Sequence, residues 1–504
     1  MKWIGDSLEK INDRLNPIVV KELRQAVQGK FLVVVIICFL CVQLLTMGLF
    51  LVIDKSVAES FDGGLKIFRV LVSNLLMTCL LCIPAYTGIR LANERADANV
   101  DLLFITTLRP QSIIWGKFLA GLVITVLLYS ACMPFMTFTY LLRGIDLPSI
   151  FVLLTFDFLV VAVGIQSAIF VACIPANRVF RVILGVGWFV IVLIAVNIIT
   201  VFSLLLMEFG IGSQLDAAEF WLGALGVLVS GLALIGIFAL LSIALISPLS
   251  ANRALPVRIL VTVVWFLTGI GAAIWSIVID DFDPIWVWAI LHILLHSIGL
   301  FVAVSEREHL GWRVRQAVPR RWFARSMAFL FYSGAAGGVM WSASIIALTV
   351  LSAVGWLIVF PHMVTNDEML RIAPLAVLGL YTFSYVLAAS LIRRNFLMDR
   401  VTSNYTWVIA LVLLGITTTI IPLILFFIYG KWDENWLVAS PLGPFLFHDS
   451  EVVPFSLIIS IFCAVFIGAL SLPWFFRQFN AFRPPREKVA SGSQTDKSGN
   501  VLGV

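Results

Sequence analysis

The sequence predicts an all-α polytopic membrane protein with about 12 transmembrane helices, arranged as two six-helix halves behind an N-terminal interfacial amphipathic helix. Of the 504 residues, 61% are hydrophobic and only 12% are charged, whereas a soluble domain carries about 25% charged residues. Twelve apolar runs reach the roughly 20 residues that a helix needs to cross a bilayer core. The charges also alternate between successive connections, as the loops of a multi-pass protein do.

The apolar runs are unbroken, which favours helices over the alternating strands of a barrel. Eleven of them contain no formal charge, and the twelfth carries only Asp157. The first run has full spanning length with no small-residue cleavage site behind it, so we expect a retained span and not a signal peptide. The runs are Phe31–Ile53, Val70–Ile89, Phe118–Leu142, Leu147–Ile174, Val182–Met207, Phe220–Ser247, Ile259–Ile279, Ile285–Val304, one within Met327–Phe360, Ile372–Ile392, Val401–Tyr429 and Val452–Phe476.

Basic residues are concentrated on alternate connections, and short cytoplasmic loops are the ones enriched in Lys and Arg. We therefore expect a multi-pass protein of the inner (plasma) membrane with both termini in the cytoplasm. Of the 29 acidic residues, 16 lie on the opposite set of connections. The basic set holds 28 of the 34 Lys and Arg residues and comprises the N-terminal segment, the loops near residues 90–117, 175–181, 248–258, 305–326 and 393–400, and the C-terminal tail.

The chain divides into four predicted regions. Residues 1–30 form the interfacial region, 31–250 the first six-span unit, 251–483 the second six-span unit, and 484–504 a polar cytoplasmic tail that we expect to be disordered. The second unit is either a diverged repeat of the first or an unrelated six-helix segment. The repeat is suggested by Glu306-Arg307, which falls where Glu94-Arg95 falls in the first unit.

The sequence pattern of the N-terminal region predicts two short helices. Asn16-Pro17 is typical of an N-cap followed by Pro at the first helical position, which opens a helix through about Gln28. An amphipathic helix that runs directly into a span is expected to lie in the membrane interface; the alternative is a helix that faces a soluble partner. The predicted apolar stripes are Ile4, Leu8, Ile11 and Leu15, then Val19, Leu23 and Val27, with Lys21, Glu22 and Arg24 on the polar face of the second helix.

The connection between spans 2 and 3, residues 90–117, predicts a further short helix over residues 94–109. Its acidic start suits the helix dipole, and Arg109-Pro110 ends it because a residue before Pro avoids the helical region. Because apolar side chains lie among the charged ones, a cytoplasmic partner could bind this segment and displace it. Its candidate contact residues are Glu94, Arg95, Asp101, Leu103 and Phe104.

Three stretches of this region resemble the permease subunits of type-2 ATP-binding-cassette (ABC) exporters. The stretches are Asn16-Pro17-Ile-Val-Val-Lys21-Glu22-Leu23-Arg24-Gln25, the series Glu94-Arg95, Asp101-Leu102-Leu103, Thr106-Thr107-Leu108 and Ile114-Trp115-Gly116-Lys117, and, more weakly, Pro134-Phe135. The resemblance implies a six-helix permease unit whose interfacial helix and coupling loop dock on a separate ATPase subunit. It implies that ATP and Mg are held by that partner and that this chain binds no cofactor or metal of its own.

The sequence itself contains no phosphate-binding GxxxxGK[ST] loop, so an ATP-driven function would need another chain. The competing hypothesis is a membrane scaffold or an intramembrane enzyme that binds a cytoplasmic partner through the same loop. No nucleic-acid partner is indicated. The transported substrate and the choice between a single chain and a homodimer stay open, as does an ATPase contact in the second half, which lacks a Leu-Leu-x-Thr-Thr-like stretch.

Three polar features lie inside the apolar runs. Asp157 should face the bundle interior, because a carboxylate at a helix centre costs at least about 2.5 kcal/mol on insertion scales; it is either a substrate- or proton-contacting group or a structural hydrogen-bond partner of Gln166 or Asn197. His292 and His296 have metal-binding spacing on one helix face, but no third ligand is close in sequence, so paired polar contacts are favoured. The Cys pairs 38/41 and 79/82 are interpreted as packing residues.

Overall fold

The computed structural model describes residues 17–53, 63–96, 109–142, 145–208, 211, 215–248, 250–363, 366–397, 400–446 and 452–485. Within these ranges the chain is helical and contains no strand. Twelve of its helices are long and apolar enough to cross a membrane, which confirms the predicted all-α polytopic class. The predicted helix over Ile4–Leu15 and most of the predicted tail lie outside the described residues.

The helices are numbered here in chain order. The first group is α1 Pro17–Gln28, α2 Lys30–Ile53, α3 Gly63–Ala96, α4 Pro110–Leu141, α5 Leu147–Cys173, α6 Arg178–Glu208 and α7 Ala218–Ile246. The second group is α8 Leu255–Ile279, α9 Asp283–Val304, α10 Trp312–Gln316, α11 Trp322–Phe331, α12 Ala335–Val359, α13 Asn366–Phe396, α14 Thr406–Gly415, α15 Ile421–Tyr429, α16 Gly443–Leu446 and α17 Val452–Ala481. Single 3₁₀ turns occur at Pro361–Met363, Ser403–Tyr405 and Glu434–Leu437.

The chain forms two compact units. The first extends to Ser247 and includes Ile259–Ile279, and the second comprises Pro248–Arg258 and the chain from Asp280 onward. The break after Ser247 lies close to the predicted boundary at 250/251. The division differs from the predicted one at α8, because most of that helix groups with the first unit and only its first turn groups with the second.

In the first unit, α5 is the central span and packs against α3, α4, α6 and α7. The helix α3 packs against α2, α4 and α6, and α4 also contacts α7. The short helix α1 lies against α4 and α2. The buried side chains of these spans form one apolar core, with Leu71, Leu75 and Ile165 completely inaccessible.

Five spans of the second unit pack in the same pattern. Here α13 is central and contacts α9, α12, α14 and α17, while α9 also packs against α12 and α14, and α12 against α17. The correspondence runs in chain order, from α3, α4, α5, α6 and α7 to α9, α12, α13, α14 and α17. The additional helices α10 and α11 of the second unit are inserted between its equivalents of α3 and α4.

The eleventh span contains a π-helical turn, Ile416–Ile420, between α14 and α15. Pro422 follows it and has no N–H to donate to the carbonyl four residues earlier, which disrupts regular α-helical bonding. The hydroxyl groups of Thr417 and Thr418 donate to carbonyls of the preceding turn, at Leu413 and Leu414. Pro422 therefore disturbs the hydrogen bonding of this span and does not end it.

Candidate functional site

Four charged side chains form one ion cluster, called here the α1 cluster, where α1 meets α3 and α4. Glu22 of α1 pairs with Arg90 of α3, with Oε2 and Nε 3.1 Å apart, and with Lys117 of α4, with Oε1 and Nζ 2.7 Å apart. The Nζ atom of Lys117 also lies 2.8 Å from Oε2 of Glu94 in α3. The side chains of Glu22 and Lys117 are 7% and 5% exposed, so the centre of the α1 cluster is buried.

The position of Glu22 corrects the predicted helix face. The helix buries three side chains spaced about one turn apart: Val19, Glu22 and Ala26. Val27, which was predicted to lie on the apolar stripe, is 68% exposed. The prediction was wrong because a hydrophobic pattern assigns every charge to the polar face, whereas Glu22 is buried against two cations of neighbouring helices. Lys21 and Arg24 are exposed, as predicted.

The residues Glu94 and Arg95 lie in the last turn of α3 and not in a separate helix. The span continues without a break to Ala96, two turns beyond the end of the apolar run that predicted it. Arg95 is tied to α5, since its Nη1 donates to the backbone oxygen of Ala172 at 3.1 Å. Both predicted contact residues therefore have partners within the first unit.

The far end of the predicted coupling loop is also helical. Arg109 is extended and α4 begins at Pro110, so the predicted interruption at Arg109-Pro110 is where the sequence places it. Residues Asp101, Leu103 and Phe104, which were predicted to contact an ATPase, lie outside the described residues.

A tyrosine connects the α1 cluster to α2. The Nη1 atom of Arg90 donates to the Tyr86 hydroxyl at 2.6 Å, and the ring of Tyr86 stacks on Phe31 with centroids 5.1 Å apart. A cavity of about 10 Å³ lies between Glu22, Arg90 and Lys117, which is close to the smallest volume that holds one water molecule. Among the described residues, the space between these three side chains is therefore about that of one water molecule.

The ion pairs of this arrangement hold three helices together. Two carboxylates and two cations neutralise one another, and removing one partner of such a buried pair is expensive because the other charge stays buried. The α1 cluster therefore fastens α1 to α3 and α4. The sequence marks Arg90 and Lys117 only as single basic residues next to an apolar run, and it does not show that they pair with Glu22.

The second unit has its own buried cation, Arg258, in the first turns of α8. Its Nη2 pairs with Oε1 of Glu306, and its Nη1 donates to the backbone oxygens of Leu330 at 2.9 Å and Tyr332. The second carboxylate oxygen of Glu306 accepts from the backbone N–H of Gly334 at 2.6 Å. Glu306, whose position in the sequence corresponds to Glu94, thus also joins the end of one span to the start of the next.

The glycine-rich start of α12 allows this close packing. A Cβ atom on Gly338 would lie 2.3 Å from Nη2 of Arg258 and 2.7 Å from Cβ of Ala303. A Cβ atom on Gly337 would lie 1.9 Å from the backbone oxygen of Phe329. Glycine at these two positions therefore leaves space for the Phe329 backbone and for the guanidinium of Arg258.

Asp157 lies in the interior of the first unit, as predicted, and only 1% of its surface is exposed. Neither of its carboxylate oxygens has a hydrogen-bond partner among the described residues. The predicted structural bonds are not formed: the side chain of Gln166 is also without a partner, and Nδ2 of Asn197 donates to its own helix at Leu193.

The two histidines of α9 lie on one buried face. Nδ1 of His296 donates to the backbone oxygen of His292 at 2.8 Å, since a carbonyl can only accept, and the ring of His296 lies 5.3 Å from that of Trp341. In the described part of the chain no three His, Cys, Asp or Glu side chains are grouped as metal ligands. All seven cysteines are free thiols.

The chain was compared with models of known protein families, with curated proteins and with solved structures. None of these comparisons finds a match.

Proposed function

We propose that this chain is the permease subunit of an ATP-driven ABC exporter, which moves its substrate across the membrane together with a separate ATPase subunit. The observation that carries the proposal is the α1 cluster. Glu22 comes from the first stretch that resembles type-2 permeases, and Glu94 and Lys117 come from the second. Stretches that are up to 95 residues apart in sequence thus meet in one buried contact, which supports a shared role for them.

The proposed mechanism uses the α1 cluster as a rigid link. The ATPase binds ATP and Mg, closes, and displaces the connection between α3 and α4 on the cytoplasmic side. Because Lys117 is paired with both Glu22 and Glu94, α1, α3 and α4 move together, and the spans packed on α3 are reoriented. The proposal includes the inner (plasma) membrane and cytoplasmic termini, which the partition of Lys and Arg supports.

We also propose that the two units derive from a tandem repeat. The support is the matching pattern of helix contacts, in which α13 takes the place of α5 and α9 the place of α3. Superposition of the corresponding spans of the two units tests this. Unequal tilt or order of the corresponding spans would contradict the repeat.

Purification from native membranes tests the function. The full-length chain, tagged and extracted in mild detergent, should bring with it a chain that contains a GxxxxGK[ST] motif, and the complex should hydrolyse ATP. Intact permease that is repeatedly isolated without such a chain would contradict the proposal.

Two double variants test where the ATPase contacts this chain. Glu94→Gln together with Arg95→Gln should lose the ATPase, and so should Lys21→Gln together with Arg24→Gln, whose exposed side chains can be changed without disturbing the core. The matched control is Asp283→Asn, which removes an exposed ion pair of the second unit and should keep the ATPase. Full retention of the ATPase in both variants would argue against this docking surface.

A further inference from the structure

The proposed coupling role does not use the carboxyl group of Asp157. It lies near the middle of α5, the helix that contacts every other long span from α3 to α7. Its surface is 1% exposed, and neither oxygen has a partner among the described residues. A carboxylate with a structural role would have hydrogen-bond partners, because buried polar groups are normally paired.

Other polar groups around it are also incompletely bonded. The Tyr129 hydroxyl of α4 has no partner among the described residues, although its ring packs edge-on against Phe158 at 5.6 Å. Tyr129 and Cys79 of α3 lie close enough to interact electrostatically with Asp157. Beyond them, Gln43 of α2 donates to Sγ of Cys132 at 3.4 Å and to Leu71, and its Oε1 is without a partner.

Among the described residues, no cation is paired with the carboxyl group. The titratable groups that face it from the helices packed on α5 are Cys79 and Tyr129, both neutral at physiological pH. The formal charges of those helices lie towards their ends, at Lys66, Arg69, Arg90, Glu94 and Arg95 of α3, Lys117 of α4, Arg178, Arg181 and Glu208 of α6, and Glu219 of α7. An ionised carboxylate here would be buried without a counter-charge or a hydrogen bond, which proteins avoid by neutralisation.

We propose that Asp157 is an intramembrane proton-binding site, whose carboxyl group holds a proton in this conformation. The proton is the ligand that the geometry favours, because both oxygens are closed off from solvent and a larger ligand would need space beside them. Release breaks the O–H bond, leaves the carboxylate and passes the proton to water, so it requires one of the helices packed on α5 to move away from it. This site is independent of the ATPase contact and would exist in a permease or in a scaffold.

Infrared difference spectroscopy tests the protonation state directly. The full-length protein in lipid nanodiscs at neutral pH is compared with Asp157→Asn. The difference spectrum should contain the carbonyl stretch of a neutral carboxylic acid and lack the carboxylate bands. The matched control is Asp146→Asn, the exposed N-cap of the same helix, whose difference spectrum should show a carboxylate.

Two infrared results would overturn the proposal. Carboxylate bands from Asp157 at neutral pH would show that it is ionised, and bands that change on exchange of Na⁺ or K⁺ for a bulky organic cation would assign the site to a metal cation. A second measurement uses the coupling between proton binding and folding stability. Above the pH range in which carboxyl groups ordinarily titrate, the folded state keeps a proton that the unfolded state releases. The stability of the wild type should therefore fall relative to that of Asp157→Asn as pH rises. The expected change is up to tenfold in the unfolding equilibrium constant per pH unit. Parallel pH profiles of stability for the wild type and Asp157→Asn would also contradict the proposal.

Discussion

Replacing Lys117 by Met should release α1 from the first unit. Lys117 is the only residue of the α1 cluster that contacts both carboxylates, at 2.7 Å from Glu22 and 2.8 Å from Glu94. Removing one partner of a buried ion pair costs about 3–5 kcal/mol. Because Glu22 keeps Arg90, we expect the lower end, about 3 kcal/mol, which is roughly two powers of ten in the equilibrium for local opening of α1.

Amide hydrogen exchange measures this opening directly. In Lys117→Met, the protected amides of Pro17–Gln28 should exchange about a hundredfold faster, while those in the middle of α5 should be unchanged. The control is Lys66→Met, which removes an exposed lysine from the other end of α3 and should leave α1 protected. Equal exchange of α1 in the two variants would show that the α1 cluster does not hold this helix in place.

Two further predictions concern the second unit and are measured by thermal unfolding in detergent. Gly338→Ala should lower stability by about 1–3 kcal/mol, because its Cβ atom would lie 2.3 Å from Nη2 of Arg258; Gly355→Ala in the same helix meets open space and should be neutral or stabilising. Glu306→Gln should cost about 3–5 kcal/mol, because it breaks the ion pair of Glu306 with a buried arginine, Arg258. Asp283→Asn breaks an exposed pair and should cost less than about 1 kcal/mol. Equal losses within either pair of variants would contradict the packing described.

The fold class could be predicted because bilayer thickness fixes the length of a spanning helix. Every predicted apolar run corresponds to a spanning helix of the structure. The helix ends were less predictable. The α3 helix continues to Ala96 because its charged last turns are stabilised by partners on α1, α4 and α5, and such partners are not visible in a local pattern.

The candidate site was only partly predictable for the same reason. Glu94 and Arg95 were identified, but the roles of Arg90 and Lys117 were not, since nothing in a single sequence shows which charges pair across 95 residues. The burial of Asp157 followed from its place in an apolar run. Its lack of partners did not, because Gln166 and Asn197 are near it in the chain or on a neighbouring span and yet do not bond to it.

The charge balance of the α1 cluster also has a consequence for ionic strength. At physiological salt the screening length is about 8 Å, which is longer than any contact in the α1 cluster, and the side chains of Glu22 and Lys117 are almost inaccessible to ions. The attachment of α1 should therefore withstand high salt, unlike the exposed pair of Asp283 and Arg371. If a partner dissociates from this surface as salt is raised, we attribute the salt dependence of its binding to exposed charges such as Lys21 and Arg24. Detachment of α1, the helix that carries these charges, would not be the cause.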